Sequence, residues 1–216
     1  MHKTVQNLIN IENKIKEKHE SYNAIKIIAV SKTFPIEKIL PLIHYGHLDF
    51  GENKVQEAIE KWSEIKNKKQ NINLHLIGKL QTNKVKFAVK IFDYIHSLDN
   101  MKLAKKIADE EFKQSKKIKI FIQVNLENEE QKSGISVDQL DELYQYALSI
   151  NLNIIGLMCI PPALQDPTNY FKKLKLLNDK LGLRELSMGM SADFMKALEN
   201  EATFIRVGSN IFGSRS

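Results

Sequence analysis

Apolar residues recur along this chain in two alternating patterns, one with helical spacing and one in short continuous runs. Residues 4–19 place apolar side chains three and four positions apart, which predicts an amphipathic helix. Eight short runs then predict strands at 25–30, 47–50, 74–77, 93–98, 118–125, 153–159, 185–188 and 203–207. Helical patterns after these runs predict helices at 36–43, 55–65, beyond 82, and at 101–112, 137–150, 170–181 and 192–199.

Eight strands at an even spacing, each followed by a helical pattern or, for the last, by the segment GSNIF, predict a (β/α)8 barrel of the TIM type with an additional N-terminal helix. This is an α/β fold, and 216 residues suit a single domain covering 1–216, although a doubly wound sheet would also fit the length. Pro41 falls inside the first helix after a strand, and we expect it to kink or shorten that helix.

Composition narrows the class of protein. The apolar fraction is 43% and the charged fraction 27%, values typical of a globular domain. No apolar run approaches the roughly 20 residues that span a bilayer, and the first residues lack the apolar region of a secretory signal. We therefore expect a cytoplasmic protein that does not contact a membrane.

The net charge of +6 comes from lysines scattered among acidic residues, a pattern typical of solvated helix surfaces. The one basic cluster, at 66–70, is too short for a nucleic-acid-binding face, so we expect no nucleic acid partner. Cys159 is the only cysteine, which excludes an intramolecular disulfide. Its apolar surroundings favour a buried thiol over a nucleophile.

Lys32 follows the first predicted strand directly, in the segment IKIIAVSKTFP. In a (β/α)8 barrel the residues after each strand meet at one end, where chemistry is done. Taken alone, Lys32 would also suit a solvated loop. The predicted strand ends are Ser31-Lys32, Gly51-Glu52-Asn53, Gly78, Ser97, Asn125, Pro161, 187–191 and 206–209. They contain no cluster of His, Asp and Glu, which disfavours a metal site, a glycosidase and a serine nucleophile.

The last two strand ends have the composition of phosphate-binding loops. They read SMGMS and VGSN, and the loops after strands seven and eight of such barrels commonly hold phosphate. Ser191 and Ser209 would donate hydroxyl groups there, although each would also suit an ordinary helix cap. A lysine opposite a phosphate pocket suggests a Schiff base with a small phosphorylated carbonyl compound, and Arg206 would add positive potential.

Several ordered strings resemble a known family. They are AVSKTFP, FGENKVQEA, HLIGKLQTNK, SLDN, QVNLENEEQKSGI, GLMCIPP, LSMGMSADF and RVGSNIFG. In order and spacing, from about Ala29 onward, they resemble the pyridoxal phosphate homeostasis proteins, which are barrels related to the N-terminal domain of alanine racemase. The resemblance implies that the cofactor is pyridoxal 5'-phosphate and that Lys32 holds it as a Schiff base.

The same resemblance implies roles for the other site residues. Ser191, Gly208 and Ser209 match the phosphate-binding positions, and Arg206 matches the arginine beside the pyridine nitrogen. The two remaining matches lie earlier in the chain. Asn53 matches a residue that lines the cofactor pocket, and His75 matches the histidine of the HLIG string, for which a core role also remains open.

The resemblance also implies binding without strong catalysis. Pyridoxal phosphate stabilises carbanions best when its ring nitrogen is protonated, and a neighbouring arginine opposes that protonation. In alanine racemase a second base, a tyrosine, comes from a further domain of the other subunit, which we do not expect here. We therefore expect a monomeric carrier or regulator in pyridoxal phosphate homeostasis, with pyridoxal-phosphate-dependent apo-enzymes as partners. A low-activity amino-acid racemase is the alternative.

Overall fold

The computed structural model describes residues 1–19, 22–69, 71–127 and 133–214. The strands are β1 (Lys26–Val30), β2 (Asp49–Glu52), β3 (Asn73–Leu76), β4 (Tyr94–Leu98), β5 (Lys119–Asn125), β6 (Ile135–Ser136), β7 (Asn153–Met158), β8 (Glu185–Met190) and β9 (Phe204–Val207). The α-helices are α1 (Lys3–Lys16), α2 (Ile36–Tyr45), α3 (Val55–Lys68), α4 (Val85–Ile91), α5 (Met101–Gln114), α6 (Leu140–Ser149), α7 (Thr168–Lys180), α8 (Phe194–Leu198) and α9 (Ser209–Phe212).

Eight parallel strands close into a barrel. Their order is β4-β3-β2-β1-β9-β8-β7-β5, and pairing of β4 with β5 closes the ring. α1 precedes β1, so the predicted (β/α)8 barrel with an additional N-terminal helix is confirmed. β6 is a two-residue strand that pairs only with the end of β5, and the apolar pattern did not predict it. The predicted loop 126–135, which ends at the first residue of β6, lies partly outside the described residues.

Alternate residues of the strands face opposite sides of the barrel wall, as strand geometry requires. In β1, Ile27 and Ala29 belong to the large apolar cluster shared with the helices. Ile28 belongs instead to a small interior cluster with Tyr94, Phe121, Met158 and Phe204. The interior therefore contains a packed aromatic and apolar cluster beside buried polar side chains, among them His75, His96 and Ser187.

The structure corrects the predicted bounds of two strands. Gly51 and Glu52 were predicted to begin a loop, but both lie in β2. The strand predicted at 185–188 continues to Met190, so Gly189 and Met190 are strand residues and not part of a loop. In both places the prediction took glycine for a turn signal. A Cβ on Gly51 would lie 2.8 Å from the side chain of Ile28, so this glycine permits close packing against the neighbouring strand β1.

Other elements differ from their predictions in smaller ways. Pro41 lies inside α2, which continues through it to Tyr45, so the expected shortening does not occur. α6 begins at Leu140, three residues later than predicted, because β6 and a turn occupy the preceding residues. No described helix combines the length and apolar character that crossing a membrane requires.

Candidate functional site

Lys32 lies two residues beyond the end of β1, in the loop that leads to α2. Ser31 before it is fully buried, and Lys32 itself is half-buried. Thr33 after it has a φ of 66°, in the left-handed region that non-glycine residues rarely adopt. A conformation of this kind persists only where the surrounding contacts hold it.

A buried carboxylate holds the first half of this loop. Glu52 is fully buried, and its Oε1 accepts hydrogen bonds from the Ser31 hydroxyl at 2.7 Å and from Trp62 Nε1 at 3.0 Å. Lys61 Nζ lies 2.9 Å from the same oxygen. The Lys61 ammonium also donates to the Ser31 carbonyl at 3.0 Å. Both the side chain and the backbone of Ser31 are therefore attached to β2 and α3.

The second half of the loop is held by Glu57 of α3. Its Oε1 accepts from the Thr33 backbone N–H at 2.6 Å and from Lys61 Nζ at 2.9 Å. Burial alone would raise the pKa of Glu57, but the hydrogen bonds from Lys61 and Thr33 outweigh it and lower that pKa. Lys32 is thus flanked on both sides by backbone that α3 holds in place.

The loops after β8 and β9 are joined to each other. The Gly208 N–H donates to Ser191 Oγ at 3.2 Å, and Asn210 Nδ2 donates to the Ser191 carbonyl at 2.9 Å. Ser209 is the first residue of α9, where backbone N–H groups have no acceptor within the helix. The structure therefore brings together Ser191, Gly208 and Ser209, although their predicted role remains a prediction.

These loops adjoin the Lys32 loop. β1 pairs with β9, and a Cβ on Gly208 would lie 3.4 Å from the Val30 Cβ. The rings of Phe34 and Phe212 stack with centroids 4.9 Å apart, which joins the Lys32 loop to α9. A lysine, two hydroxyl groups and helix-start N–H groups therefore share one side of the barrel's carboxyl end.

Arg206 is a residue of β9 and points away from solvent, with 4% of its surface exposed. Its Nη1 donates to Ser187 Oγ at 2.8 Å and its Nη2 to the Cys159 carbonyl at 2.9 Å. Burial lowers the pKa of Arg206, but a guanidinium keeps its charge in proteins. Cys159 is buried as predicted, and burial raises the pKa of its thiol to about 12.

His75 lies in β3 and has no exposed surface. Its Nδ1 is 3.0 Å from His96 Nε2, and its Nε2 is 3.0 Å from Asp49 Oδ1. Its ring stacks on Tyr94 with centroids 4.2 Å apart. The described contacts of His75 are therefore with side chains of neighbouring strands, and its predicted contact with the cofactor stays a prediction.

Asn53 lines a cavity of about 360 Å3 at the carboxyl ends of β2, β3, β5 and β7. Other lining residues include Gly78, Gln123, Cys159 and Tyr170. A Cβ on Gly78 would lie 2.4 Å from the Asn53 carbonyl oxygen, so only glycine allows the β2 and β3 ends to approach this closely. Because the Cys159 carbonyl accepts from the buried Arg206, that arginine lies directly beneath the cavity wall.

Sequence reasoning missed the residues that support these groups: Glu57, Lys61, Ser187 and His96. The sequence placed Glu52 at a predicted strand end but did not indicate that it would hold the Lys32 loop. For His96 there was a signal, since a polar residue at an inward position of an apolar strand needs a hydrogen-bond partner. Within the described ranges, no three or more His, Cys, Asp or Glu residues gather where they could hold a metal ion.

Comparison with known proteins supplies a family context. Residues 6–216 match the family model described as the N-terminal domain of alanine racemase. A pyridoxal phosphate homeostasis protein of Aquifex aeolicus is 41% identical over 203 residues, which is 89% of this chain and 88% of the relative.

Two solved structures are also similar. PipY of Synechococcus elongatus, in a structure with pyridoxal phosphate bound, is 33% identical with a TM-score of 0.84, over 97% of this chain and 100% of that one. An alanine racemase of Clostridium difficile has a TM-score of 0.74 at 16% identity, over 99% of this chain and 57% of its own, a likeness of fold alone.

Proposed function

We propose that this chain binds pyridoxal 5'-phosphate at the carboxyl ends of its strands. The chain belongs to the family of the pyridoxal phosphate homeostasis proteins and of the alanine racemase N-terminal domain, and this membership supports the proposal. Lys32 would hold the cofactor as a Schiff base. The observation that supports this most directly is the packing of the Lys32 loop against the loops of Ser191 and Gly208 through the stacked rings of Phe34 and Phe212.

The donor groups at this end suit a phosphorylated aldehyde. Ser191 Oγ accepts from Gly208, so its own O–H is free to donate to a phosphate oxygen. The first N–H groups of α9 start beside it and provide further donors. Lys32 lies in the neighbouring loop, whose backbone is fixed on both sides, so its amine would meet an aldehyde in a defined place.

Arg206 is proposed to face the ring nitrogen of the cofactor and to limit catalysis. When bound, pyridoxal phosphate supplies an electron sink whose strength depends on a protonated ring nitrogen. The Arg206 cation is buried and hydrogen-bonded to Ser187 and Cys159, which holds its charge in place. A positive charge fixed there would oppose protonation of the ring nitrogen. We therefore propose a carrier or regulator in pyridoxal phosphate homeostasis without robust catalysis, which acts as a monomer and supplies apo-enzymes.

The Schiff base is tested by Lys32→Ala, with Lys79→Ala as the matched control because Lys79 lines the nearby cavity. Borohydride reduction of the loaded protein followed by peptide mapping should find the pyridoxyl group on Lys32. Lys32→Ala should lose it without loss of stability, and Lys79→Ala should retain it. A pyridoxyl group found mainly on another lysine of the native protein would end this proposal.

The carrier role is tested by mixing the loaded protein with a pyridoxal-phosphate-dependent apo-enzyme and, separately, with L-amino acids. We expect reactivation of the apo-enzyme and little racemisation. Rapid racemisation that disappears in Lys32→Ala would establish the enzyme function instead.

A further inference from the structure

A continuous chain of hydrogen bonds crosses the barrel interior from Arg206 to Asp49. Arg206 Nη1 lies 2.8 Å from Ser187 Oγ, which in turn lies 2.8 Å from His96 Nδ1. His96 Nε2 is 3.0 Å from His75 Nδ1, and His75 Nε2 is 3.0 Å from Asp49 Oδ1. The five residues come from five different strands, β9, β8, β4, β3 and β2.

The chemistry of Arg206 and Asp49, the two end residues, determines which group donates in each hydrogen bond of this chain. A guanidinium only donates, so the Ser187 hydroxyl accepts from Arg206 and gives its single proton to His96 Nδ1. A neutral His96 then has its proton on Nε2 and donates it to His75 Nδ1. By the same logic His75 has its proton on Nε2 and donates to the Asp49 carboxylate, which only accepts.

Burial keeps both rings neutral, as this direction requires. Ser187, His75 and His96 have no exposed surface. Desolvation by burial is the largest cause that lowers the pKa of each histidine, and for His96 the pKa falls well below its usual value. The charged or titratable groups that act on the two rings are Asp49, Asp93, Lys26, His47 and Arg206.

We infer that Ser187, His96, His75 and Asp49 are positioning residues for Arg206. The carboxylate at one end fixes the tautomer of both histidines, and these fix the Ser187 hydroxyl as the acceptor for Nη1. The inference deepens and rests on the proposed function, in which Arg206 faces the ring of the cofactor. His75 then acts on the cofactor through Arg206 and not by contact.

The hydrogen-bond chain also connects the candidate site to the opposite end of the barrel. Asp49 opens β2, and its side chain is 17% exposed, whereas Arg206 is at the carboxyl end of β9. A proton added to His96 would turn Nδ1 into a donor, and Ser187 Oγ would then receive two donors and lose its own partner. Protonation of the histidine pair should therefore loosen Arg206.

The test begins with the cofactor-free protein, labelled with 15N in histidine and arginine. Two-bond 1H–15N spectra at pH 7 should show His75 and His96 as neutral Nε2–H tautomers. Ser187→Ala removes the link to Arg206 and should speed solvent exchange of the Arg206 Nη protons. Ser97→Ala is the matched control, since Ser97 is 2% exposed in the same barrel wall and its Oγ has no partner within the described residues.

A second variant is Asp49→Asn, whose amide can donate as well as accept. It should populate the other tautomer of His75 and should also speed exchange at Arg206, so it decides the matter if Ser187→Ala does not fold. Once pyridoxal phosphate is added, both variants should shift the pH midpoint of its absorbance, and Ser97→Ala should not.

Two results would overturn the inference. One is an Nδ1–H or doubly protonated ring for His75 or His96 in the native protein at pH 7. The other is exchange at Arg206 that is equal in Ser187→Ala and Ser97→Ala. If the cofactor does not bind while the tautomers and exchange rates are as expected, the proposed function fails and the positioning of Arg206 stands.

Discussion

Glu52→Gln separates the stability of the barrel from the placement of Lys32. The variant keeps the size of the side chain and an acceptor oxygen but removes the charge that Ser31, Lys61 and Trp62 share at Oε1. Hydrogen bonds to charged groups contribute about 1.5–3 kcal/mol each, against about 0.5–1.5 kcal/mol for neutral pairs, so each bond should lose about 1 kcal/mol.

Three weakened bonds predict a loss of about 3 kcal/mol in the free energy of unfolding. Removing one partner of a buried ion pair can cost 3–5 kcal/mol because the other charge is left alone. Here Lys61 retains the Ser31 carbonyl at 3.0 Å and Glu57 at 2.9 Å, so that larger penalty should not apply. Urea unfolding at pH 7 measures the loss.

Glu111→Gln is the matched control for position. Glu111 is also buried and accepts from the Ile118 N–H at 2.7 Å and from Lys117 at 3.0 Å, at the start of β5 and away from the site. It should lose about 2 kcal/mol for its two bonds. Only Glu52→Gln should slow the formation of the borohydride-trapped adduct at Lys32. A loss below about 0.5 kcal/mol in Glu52→Gln, or equal slowing in both variants, would refute this account of the Lys32 loop.

Three further results are expected. Ser191→Ala combined with Ser209→Ala should weaken the binding of pyridoxal phosphate by about 1–3 kcal/mol in equilibrium titration, because two donors to a charged group are lost. The binding of pyridoxal, which has no phosphate, should change much less. Equal weakening of the binding of both ligands would contradict the phosphate assignment. Arg206→Gln should speed exchange of the α-hydrogen of a bound amino acid at saturating cofactor, since the cation that opposes ring protonation is removed; slower exchange would favour catalysis assisted by Arg206. Finally, burial lowers the folded-state pKa of His75 and His96. Their contribution to stability should therefore be complete above the unfolded pKa of about 6.5, and at lower pH it should fall by up to about 1.4 kcal/mol per pH unit for each ring. Urea midpoints that stay constant from pH 7 to 5 would argue against neutral buried rings.

Local sequence determined the order of elements and the place of Lys32. A continuous run of β-branched and aliphatic residues favours a buried strand, and a lysine is costly in the interior of such a strand, so the sequence predicts that the run in β1 ends before Lys32. The helical spacing of apolar residues likewise determined which segments lie outside the barrel. These are properties of single segments, and each can be read within about a dozen residues.

Gly189 shows where a prediction from local sequence fails. Gly189 was taken for a loop residue, but it lies in β8 with a φ of 87°, where the register against β9 shifts. A Cβ there would lie 2.6 Å from the Ala197 Cβ, so packing of α8 against the strand requires the glycine. The sequence contains the glycine but not the neighbour that explains it.

Only the tertiary structure determines which residues form the hydrogen bonds that hold the site residues in place. Ser187 and His96 are 91 residues apart in the chain, and Ser31 and Glu52 are 21 apart, yet each pair shares a hydrogen bond inside the fold. Such contacts exist only because closing the barrel brings distant strands and loops together and removes water from between them. A polar residue in an apolar run indicates that a partner is needed, and only the closed barrel determines which residue that partner is.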